Sequence, residues 1–448
     1  MALTGIQIYK YLPQTNCKEC GFPTCLAFAM KLAQGQAELA KCPYVSDEAK
    51  QALEAASRPP MKAVTFGSGE KQKTVGGETV MFRHDKTFFN PAALVIRVKD
   101  SQSDDEVAKT VAAASSYVVE RVGMSFGIDG IAIHNDSGDA GKFAACVDAV
   151  KAKTDLPLIL MSTDPAAMGA ALEKVADRRP LIYGANKDNI DQMIELAKGK
   201  GVPMGIKGDG LDELAELSEK AEGAGVADLV LDPGTRSFED SLIIMTQMRR
   251  LAIKKQFRPM GFPTITFPSE QASSVEEMAA LAAQYVTKYG SIVVMDTFDP
   301  ALIYPLITLR LNIYTDPQKP IQMAAGIYPI GNATADSPFC VTTNFSLTYF
   351  TIAGEIEGTG VPAWLMVCDT EGLSVLTAWS AGKFDAEKIA KTAKEQEADS
   401  KVSHKKIILP GKVAILRGEL EDEMPDWKIM VGSMEAMDIG GWLKKNWN

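Results

Sequence analysis

The sequence predicts a multidomain α/β protein: a small cysteine-bearing module, a central (β/α)8 barrel and a C-terminal Rossmann-like α/β domain. Three observations carry this. Four of the 7 cysteines crowd into residues 17–42, eight short apolar runs alternate with helical stretches between residues 93 and 296, and a shorter α/β rhythm follows residue 318. At 448 residues the chain also exceeds the roughly 250–300 residues that one hydrophobic core can serve. The expected boundaries are 1–57 for the module, 58–91 for a linker, 92–318 for the barrel and 319–448 for the last domain.

Composition narrows the class. A hydrophobic share of 46% and a charged share of 23% are those of an ordinary globular protein. With 47 basic against 57 acidic residues the net charge is −10, which disfavours a phosphate-neutralising surface and hence generic nucleic-acid binding. No apolar run has the length of a membrane span, and no basic leader precedes an apolar stretch at the N-terminus. The expectation is a cytoplasmic protein with neither nucleic-acid nor membrane partners.

Cys17, Cys20, Cys25 and Cys42 follow the spacing C-x2-C-x4-C-x16-C. Three thiols leave one tight loop, bent by Gly21 and Pro23, and the fourth returns after the helical composition of Leu26 to Leu39. In a reducing compartment such clustering points to metal or cluster ligation rather than disulfides. The pattern favours a [4Fe-4S] cluster. A structural zinc is the alternative, although zinc sites usually pair two short ligand arches and the second is missing here. The order of gaps also reverses that of plant-type [2Fe-2S] ferredoxins.

Residues 57–90 are rich in Pro, Gly and Lys and read as linker or irregular arm. Gly67-x-Gly69 lacks the strand-turn-helix context of a nucleotide loop. The barrel strands are then read at 93–98, 130–134, 156–161, 181–184, 203–207, 228–232, 261–267 and 291–296. Leu-Pro-Leu-Ile-Leu-Met and Ser-Ile-Val-Val-Met are continuously apolar, as parallel strands covered on both faces require. A doubly wound sheet is the alternative arrangement. Polar groups at strand ends, His134, Asn135, Asp136, Ser162, Thr163, Asp164, Lys207, Asp232 and Asp296, occupy positions that host chemistry in barrel enzymes, but Asp and Ser there are also ordinary helix caps. With no paired-carboxylate or nucleophile motif among them, the barrel is expected to be a scaffold or docking surface.

In the C-terminal domain, strands are expected at 341–343, 364–369, 406–409 and 428–431, and helices at 385–399 and 434–445. The loops at 342–346, 369–375 and 432–436 are built from small and hydroxylic residues. Such loops either receive a ligand beyond the carboxyl ends of the strands or are simply capped turns. Cys340, just before the first loop, is read as a buried apolar residue.

Taken along nearly its whole length, the chain resembles the large subunit of the corrinoid iron-sulfur protein of the anaerobic acetyl-CoA pathway. The resemblance rests on the Cys17, Cys20, Cys25 and Cys42 module with Cys42-Pro-Tyr-Val-Ser-Asp, on Leu251-Ala-Ile-Lys-Lys with Tyr314-Thr-Asp-Pro, and on Val341-Thr-Thr-Asn-Phe-Ser-Leu-Thr-Tyr349 with Gly372-Leu-Ser-Val-Leu-Thr377. It implies a [4Fe-4S] domain, a TIM barrel and a C-terminal cobalamin-binding domain. Carried over by motif, the corrinoid contacts are Thr342, Thr348, Gly372, Leu373, Ser374, Val375 and Ala436.

The same resemblance implies a methyl carrier. The corrin cobalt, as Co(I), takes a methyl group from methyltetrahydrofolate on a separate methyltransferase and delivers it to acetyl-CoA synthase/CO dehydrogenase. The iron-sulfur cluster, fed by a ferredoxin-type reductant, restores cobalt that has slipped to Co(II). A small subunit is the implied heterodimer partner, since one domain covers one face of a macrocycle. The chain has only 3 histidines, His84, His134 and His404, and none lies in a D-x-H-x-x-G motif, so a base-off, His-off corrinoid is expected. The competing readings are a pterin-dependent barrel methyltransferase using Asn135, Asp164 or Asp232, fused to an electron-transfer module, and a ferredoxin-like adaptor without an organic cofactor.

Overall fold

The computed structural model describes residues 5–33, 37, 39–46, 49–50, 59–316 and 319–447. In the N-terminal module two helices, Gly5–Tyr9 and Cys25–Ala33, pack together over Ile8, Leu12, Phe28, Ala29 and Val45. Thr24 opens the second helix by accepting from the N–H of Ala27 at 3.0 Å. The helix expected to run from Leu26 to Leu39 is helical to Ala33; residues 34–36 and 38 of it lie outside the described residues. A 3-10 turn, Leu39–Lys41, then delivers Cys42.

The segment expected as a linker is not irregular throughout. Its strands β1 (Ala63–Phe66) and β2 (Lys73–Gly76) form an antiparallel hairpin, with Gly67 and Gly69 in its turn. Val64, Phe66 and Val75 are fully buried and share a core with Val95, Ala132, Ile159, Val230 and Val294 of the barrel strands, so the hairpin plugs the barrel's amino-terminal end. Lys73 reaches Asp129 at 2.7 Å and Arg310 contacts the same carboxylate. Burial alone would push the Asp129 carboxyl up, yet Arg310 and Lys73 together hold it below its ordinary value. Short strands in a Gly- and Lys-rich frame carry little periodicity, which is why composition hid them.

The barrel runs β3 (Ala93–Lys99), β6 (Gly130–His134), β7 (Leu158–Met161), β8 (Leu181–Ala185), β9 (Met204–Lys207), β10 (Leu229–Asp232), β11 (Ile265–Thr266) and β12 (Ile292–Met295). The eight strands form one parallel sheet, ordered β10-β9-β8-β7-β6-β3-β12-β11, whose two ends meet at the bridge between Leu231 and Thr264. All eight expected runs are strands, and a nearly closed barrel replaces the doubly wound alternative. Alternation along each strand divides the apolar residues: Val95, Ile159 and Val294 face the interior, while Leu94, Ile96, Leu158 and Leu160 face the helices. A second hairpin that the sequence pattern did not reveal, β4 (Val118–Arg121) with β5 (Met124–Gly127), precedes β6.

The last domain is a sheet of five strands, β13 (Gly326–Ile330), β14 (Phe339–Thr343), β15 (Ala363–Cys368), β16 (Lys406–Leu409) and β17 (Lys428–Val431). Their order is β13-β15-β14-β16-β17, parallel except for the antiparallel edge strand β13. Separate apolar cores cover its two faces. The chain leaves β14 for β15 on one side and returns to β16 on the other, so the strand order reverses at β14.

Residues 77–90 continue outside the barrel as an arm held by one buried ion pair, Glu78 with Arg249 at 3.0 Å, both side chains 3% exposed. Arg249 also stacks over the Tyr289 ring at 4.8 Å. Glu78→Ala strands that guanidinium and is expected to lower the free energy of barrel unfolding by about 3–5 kcal/mol. The double replacement Glu78→Leu, Arg249→Met should recover most of the loss in urea unfolding. An unchanged midpoint in Glu78→Ala would mean that the arm adds nothing to the barrel.

Candidate functional site

A cavity of about 390 Å³ opens beyond the carboxyl ends of β14, β16 and β17. Cys340 and Val341 of β14 and Ile408 and Leu409 of β16 form its floor, which places it at the reversal of strand order, where open α/β sheets leave a crevice. The loops after β16 and β17 are stitched together: Gly411 N–H donates to Ser433 O at 2.9 Å and Gly432 N–H to Leu409 O at 2.8 Å. A Cβ on Gly411 would stand 2.6 Å from Ser433 O, so only glycine permits this approach. The wall mixes apolar groups, Phe345, Leu347, Ile352 and Trp442, with the hydroxyls of Thr348, Thr351, Ser374 and Ser433.

Four of the seven residues expected to contact the corrinoid line this cavity: Thr348, Ser374, Val375 and Ala436. The other three do not. Thr342 is fully buried on β14 with its hydroxyl unpartnered, Leu373 packs against the core that holds Phe339 and Met366, and Gly372 spends its N–H on Asn344 Oδ1 at 2.9 Å with φ +76°. Asn344 also accepts from Thr370 N–H and Oγ1, both at 3.0 Å, and donates to Asp369 at 3.0 Å and Gln322 at 3.1 Å. This residue was not singled out from the sequence, nor were Pro410 and Lys412 after β16. Cys340 is buried as expected, but in the cavity floor, and burial pushes its thiol up to about 12. It is a neutral apolar surface there rather than a thiolate ligand.

In the module, Cys25 and Cys42 are buried, Cys20 is half-buried and Cys17 exposed. The loop is tightly wound, with positive φ at Gln14, Asn16, Lys18 and Gly21. Asn16 Oδ1 accepts from Cys25 N–H at 2.8 Å, and Tyr44 Oη donates to Glu19 at 2.8 Å, tying the first arch to the segment after Cys42. Among the described residues no three Cys, His, Asp or Glu side chains converge on one point as a single metal ion requires. Four free thiols, Cys17, Cys20, Cys25 and Cys42, are a donor set that suits an iron-sulfur cluster.

At the carboxyl end of the barrel the polar side chains are engaged with one another. Arg97 holds Asp296 through two bonds at 2.7 and 2.9 Å and Glu270 at 2.7 Å. Arg236 holds Asp232 at 2.8 and 3.0 Å and Glu270 at 2.7 Å, while Tyr183 donates to Asp232 at 2.5 Å. Both guanidinium groups lie over the Phe267 ring. Burial opposes ionisation of Glu270, but Arg97 and Arg236 hold its carboxyl below the ordinary value. Asp164 caps its helix through Ala166 N–H and Asn135 donates to Ser162; among the described residues of this mouth, Asn135 Oδ1 and His134 Nδ1 are the buried atoms left without a hydrogen bond. The residues proposed to grip a pterin are thus largely occupied.

The model of the CO dehydrogenase/acetyl-CoA synthase delta subunit family matches residues 63–443, and a model described as an Fe-S cluster matches residues 12–44. The chain is 47% identical over 446 residues to the corrinoid/iron-sulfur protein large subunit of Moorella thermoacetica, covering 100% of this chain and 99% of that one. It is 36% identical over 455 residues to the acetyl-CoA decarbonylase/synthase complex subunit gamma of Methanopyrus kandleri, covering 99% and 98%. Among solved structures, dihydropteroate synthase of Thermus thermophilus aligns with 56% of this chain and 99% of its own at 16% identity and a TM-score of 0.41. The chain belongs to the family of corrinoid/iron-sulfur protein large subunits, as the resemblance implied.

Asn344→Leu removes the acceptor shared by three donors and is expected to destabilise the C-terminal domain by about 1–3 kcal/mol for each group left buried and unpaired. Thr370→Val, which removes only one of the three donors, should lose less. Thermal unfolding of the two variants side by side measures the difference, and equal losses would take the acceptor role away from Asn344.

Proposed function

We propose that this chain is a methyl-group carrier that holds a base-off corrinoid in its C-terminal domain and a [4Fe-4S] cluster on Cys17, Cys20, Cys25 and Cys42. One observation carries the reading: the cavity at the strand reversal is open and lined by Thr348, Ser374, Val375 and Ala436, while the carboxylates at the barrel mouth are paired with the protein's own arginines. When bound, a corrinoid supplies a cobalt that takes up and releases a methyl group, and the cluster supplies low-potential electrons that keep that cobalt reactive.

The residues present suit both groups. A corrin is rimmed by amides that pair with hydroxyls, and the cavity offers Thr351, Ser374 and Ser433 beside Thr348, with the unpartnered Thr342 hydroxyl buried on β14 itself. The five-stranded sheet is best read as a Rossmann-like domain, with Gly372 and Leu373 shaping the second loop from behind the wall. Leu347, Phe350, Leu376, Met434 and Met437 are exposed on the cavity walls and their flanking elements. An apolar rim of this kind suits a covering protein, here the small subunit of a heterodimer. A methyltetrahydrofolate-linked methyltransferase would supply the methyl group, acetyl-CoA synthase/CO dehydrogenase would receive it, and a ferredoxin-type protein would reduce the cluster. On this reading the chain serves a methyltransferase system without being an independent catalyst. No helix among the described residues is long and apolar enough to cross a membrane, and a cytoplasmic site of action fits the redox chemistry.

None of the histidines faces the cavity. His84 is exposed against Phe82, His134 ends a barrel strand, and His404 is held by Ser337 O and Lys406 N–H, each at 2.9 Å. A visible spectrum of anaerobically purified protein should show corrinoid bands over cluster absorbance; cluster absorbance alone would sink the carrier reading. Electron paramagnetic resonance of the Co(II) state should lack nitrogen superhyperfine splitting in the wild type and in His404→Ala. A nitrogen triplet that vanishes on changing any one histidine would overturn the His-off assignment.

Cys20→Ser should abolish the [4Fe-4S] signal while leaving the two larger domains folded, because none of the module's described residues belongs to their cores. The variant should take up methyl from a pre-reduced state yet fail to recover after oxidation. Full iron and sulfide content in the variant would remove Cys20 from the ligand set, and recovery equal to wild type would remove the cluster from reactivation.

A further inference from the structure

Only two charged side chains line the cavity among the described residues, and they are paired with each other. Lys412, in the loop after β16, lies 2.8 Å from Glu435, in the loop after β17. Their side chains are 35% and 59% exposed, so this ion pair sits in a solvated rim and adds little to folding. Its position, by contrast, is closely set. The Gly411 to Ser433 and Gly432 to Leu409 bonds clamp the two loops together immediately beside Lys412, and Ser433 Oγ donates to Glu435 O at 2.9 Å. An ammonium is therefore held at the edge of a pocket whose other walls are apolar or hydroxylic.

We propose that Lys412 is the binding residue for the anionic phosphodiester that joins a corrinoid's ring side chain to its nucleotide, with Glu435 holding the ammonium until the ligand enters. The proposal rests on the corrinoid reading above and specifies which part of the ligand the cavity recognises. The ring's own periphery is amide, matched by the hydroxyls, and the base of the tail is apolar, matched by Phe345, Ile352 and Trp442. The phosphodiester is the group left needing a cation. Entry of the tail expels water from the rim, which strengthens an ammonium–phosphate contact relative to the solvated pair it replaces. Glu435, the more exposed partner, turns to solvent as the phosphate takes its place. No bond is made or broken; one oxyanion is exchanged for another on a fixed cation.

The test is equilibrium binding to the full-length, corrinoid-free chain under anaerobic conditions, with three probes: cobalamin, cobinamide, which lacks both phosphodiester and nucleotide, and cobinamide phosphate, which has the phosphate without the base. Lys412→Met is expected to weaken cobalamin and cobinamide phosphate about tenfold each while leaving cobinamide within roughly twofold of wild type. Glu435→Gln should keep or strengthen cobalamin binding, and the preference of wild type for cobalamin over cobinamide should shrink as salt is raised. Circular dichroism of each variant verifies the fold, and Lys412→Glu should exaggerate the Lys412→Met pattern. Equal weakening of all three probes, or none, in Lys412→Met overturns the proposal while leaving the corrinoid reading intact. Failure of wild type to bind any of the three overturns the corrinoid reading and the proposal with it.

Discussion

A single buried amide, that of Asn344, sets the geometry on which the open half of the molecule depends. It sits where the central strand β14 ends, and its oxygen gathers Thr370 N–H, the Thr370 hydroxyl and Gly372 N–H. Backbone N–H groups can only donate, so the amide has one workable orientation, with its nitrogen turned to Asp369 and Gln322. The loop after β15 is thereby pinned to the loop after β14, and Ser374 and Val375 are held on the wall. Buried polar groups are costly unless all are satisfied, and here the satisfied network is what keeps a loop of small residues from collapsing into the cavity.

The barrel shows the opposite outcome of the same physics. Its carboxyl end carries acidic and basic side chains where barrel enzymes place their chemistry, but two arginines and three carboxylates pair across the mouth on the face of Phe267. Charges that already pair with one another are less available to a ligand, and separating the buried Arg97 and Asp232 from their partners would leave charge uncompensated. The barrel's other end is plugged by the β1–β2 hairpin. A large apolar opening is left to the C-terminal sheet.

These features were unequally legible in the sequence. The eight barrel strands were readable because parallel strands covered on both faces become continuous apolar runs such as Leu158 to Met161. The cysteine spacing was equally plain. The edge strand β13 was missed because Pro329 sits inside it, which argues against a strand unless the strand is at an edge, as this one is. The β4–β5 hairpin lacks buried alternation, having no fully buried residue. Within the site, motif alone put Thr342, Gly372 and Leu373 beside the ligand together with Thr348 and Ser374. Thr342 shares the face of Cys340 on β14 but is fully buried, and the demand of Asn344 for donors turns the Gly372 N–H inward. Lys412 was invisible because its loop has no small-residue signature, and its role arises from a fold that brings β16 and β17 side by side.

The barrel also makes a packed contact with the C-terminal domain. The turn of the β4–β5 hairpin, Val122–Gly123, inserts into the core of the C-terminal domain beside Leu311, Met323 and Tyr349. Val122 O accepts from Ala324 N–H at 3.0 Å, and a Cβ on Gly123 would fall within 2.2 Å of Tyr328 Oη. Val122 adopts φ +49°, a conformation that a β-branched residue reaches at a cost of order 1–3 kcal/mol. Burial of its side chain and the bond to Ala324 offset that cost only while the domains stay docked. The strained turn therefore acts as a latch between barrel and cavity domain. Its strain makes the docked arrangement worth less than its contacts suggest.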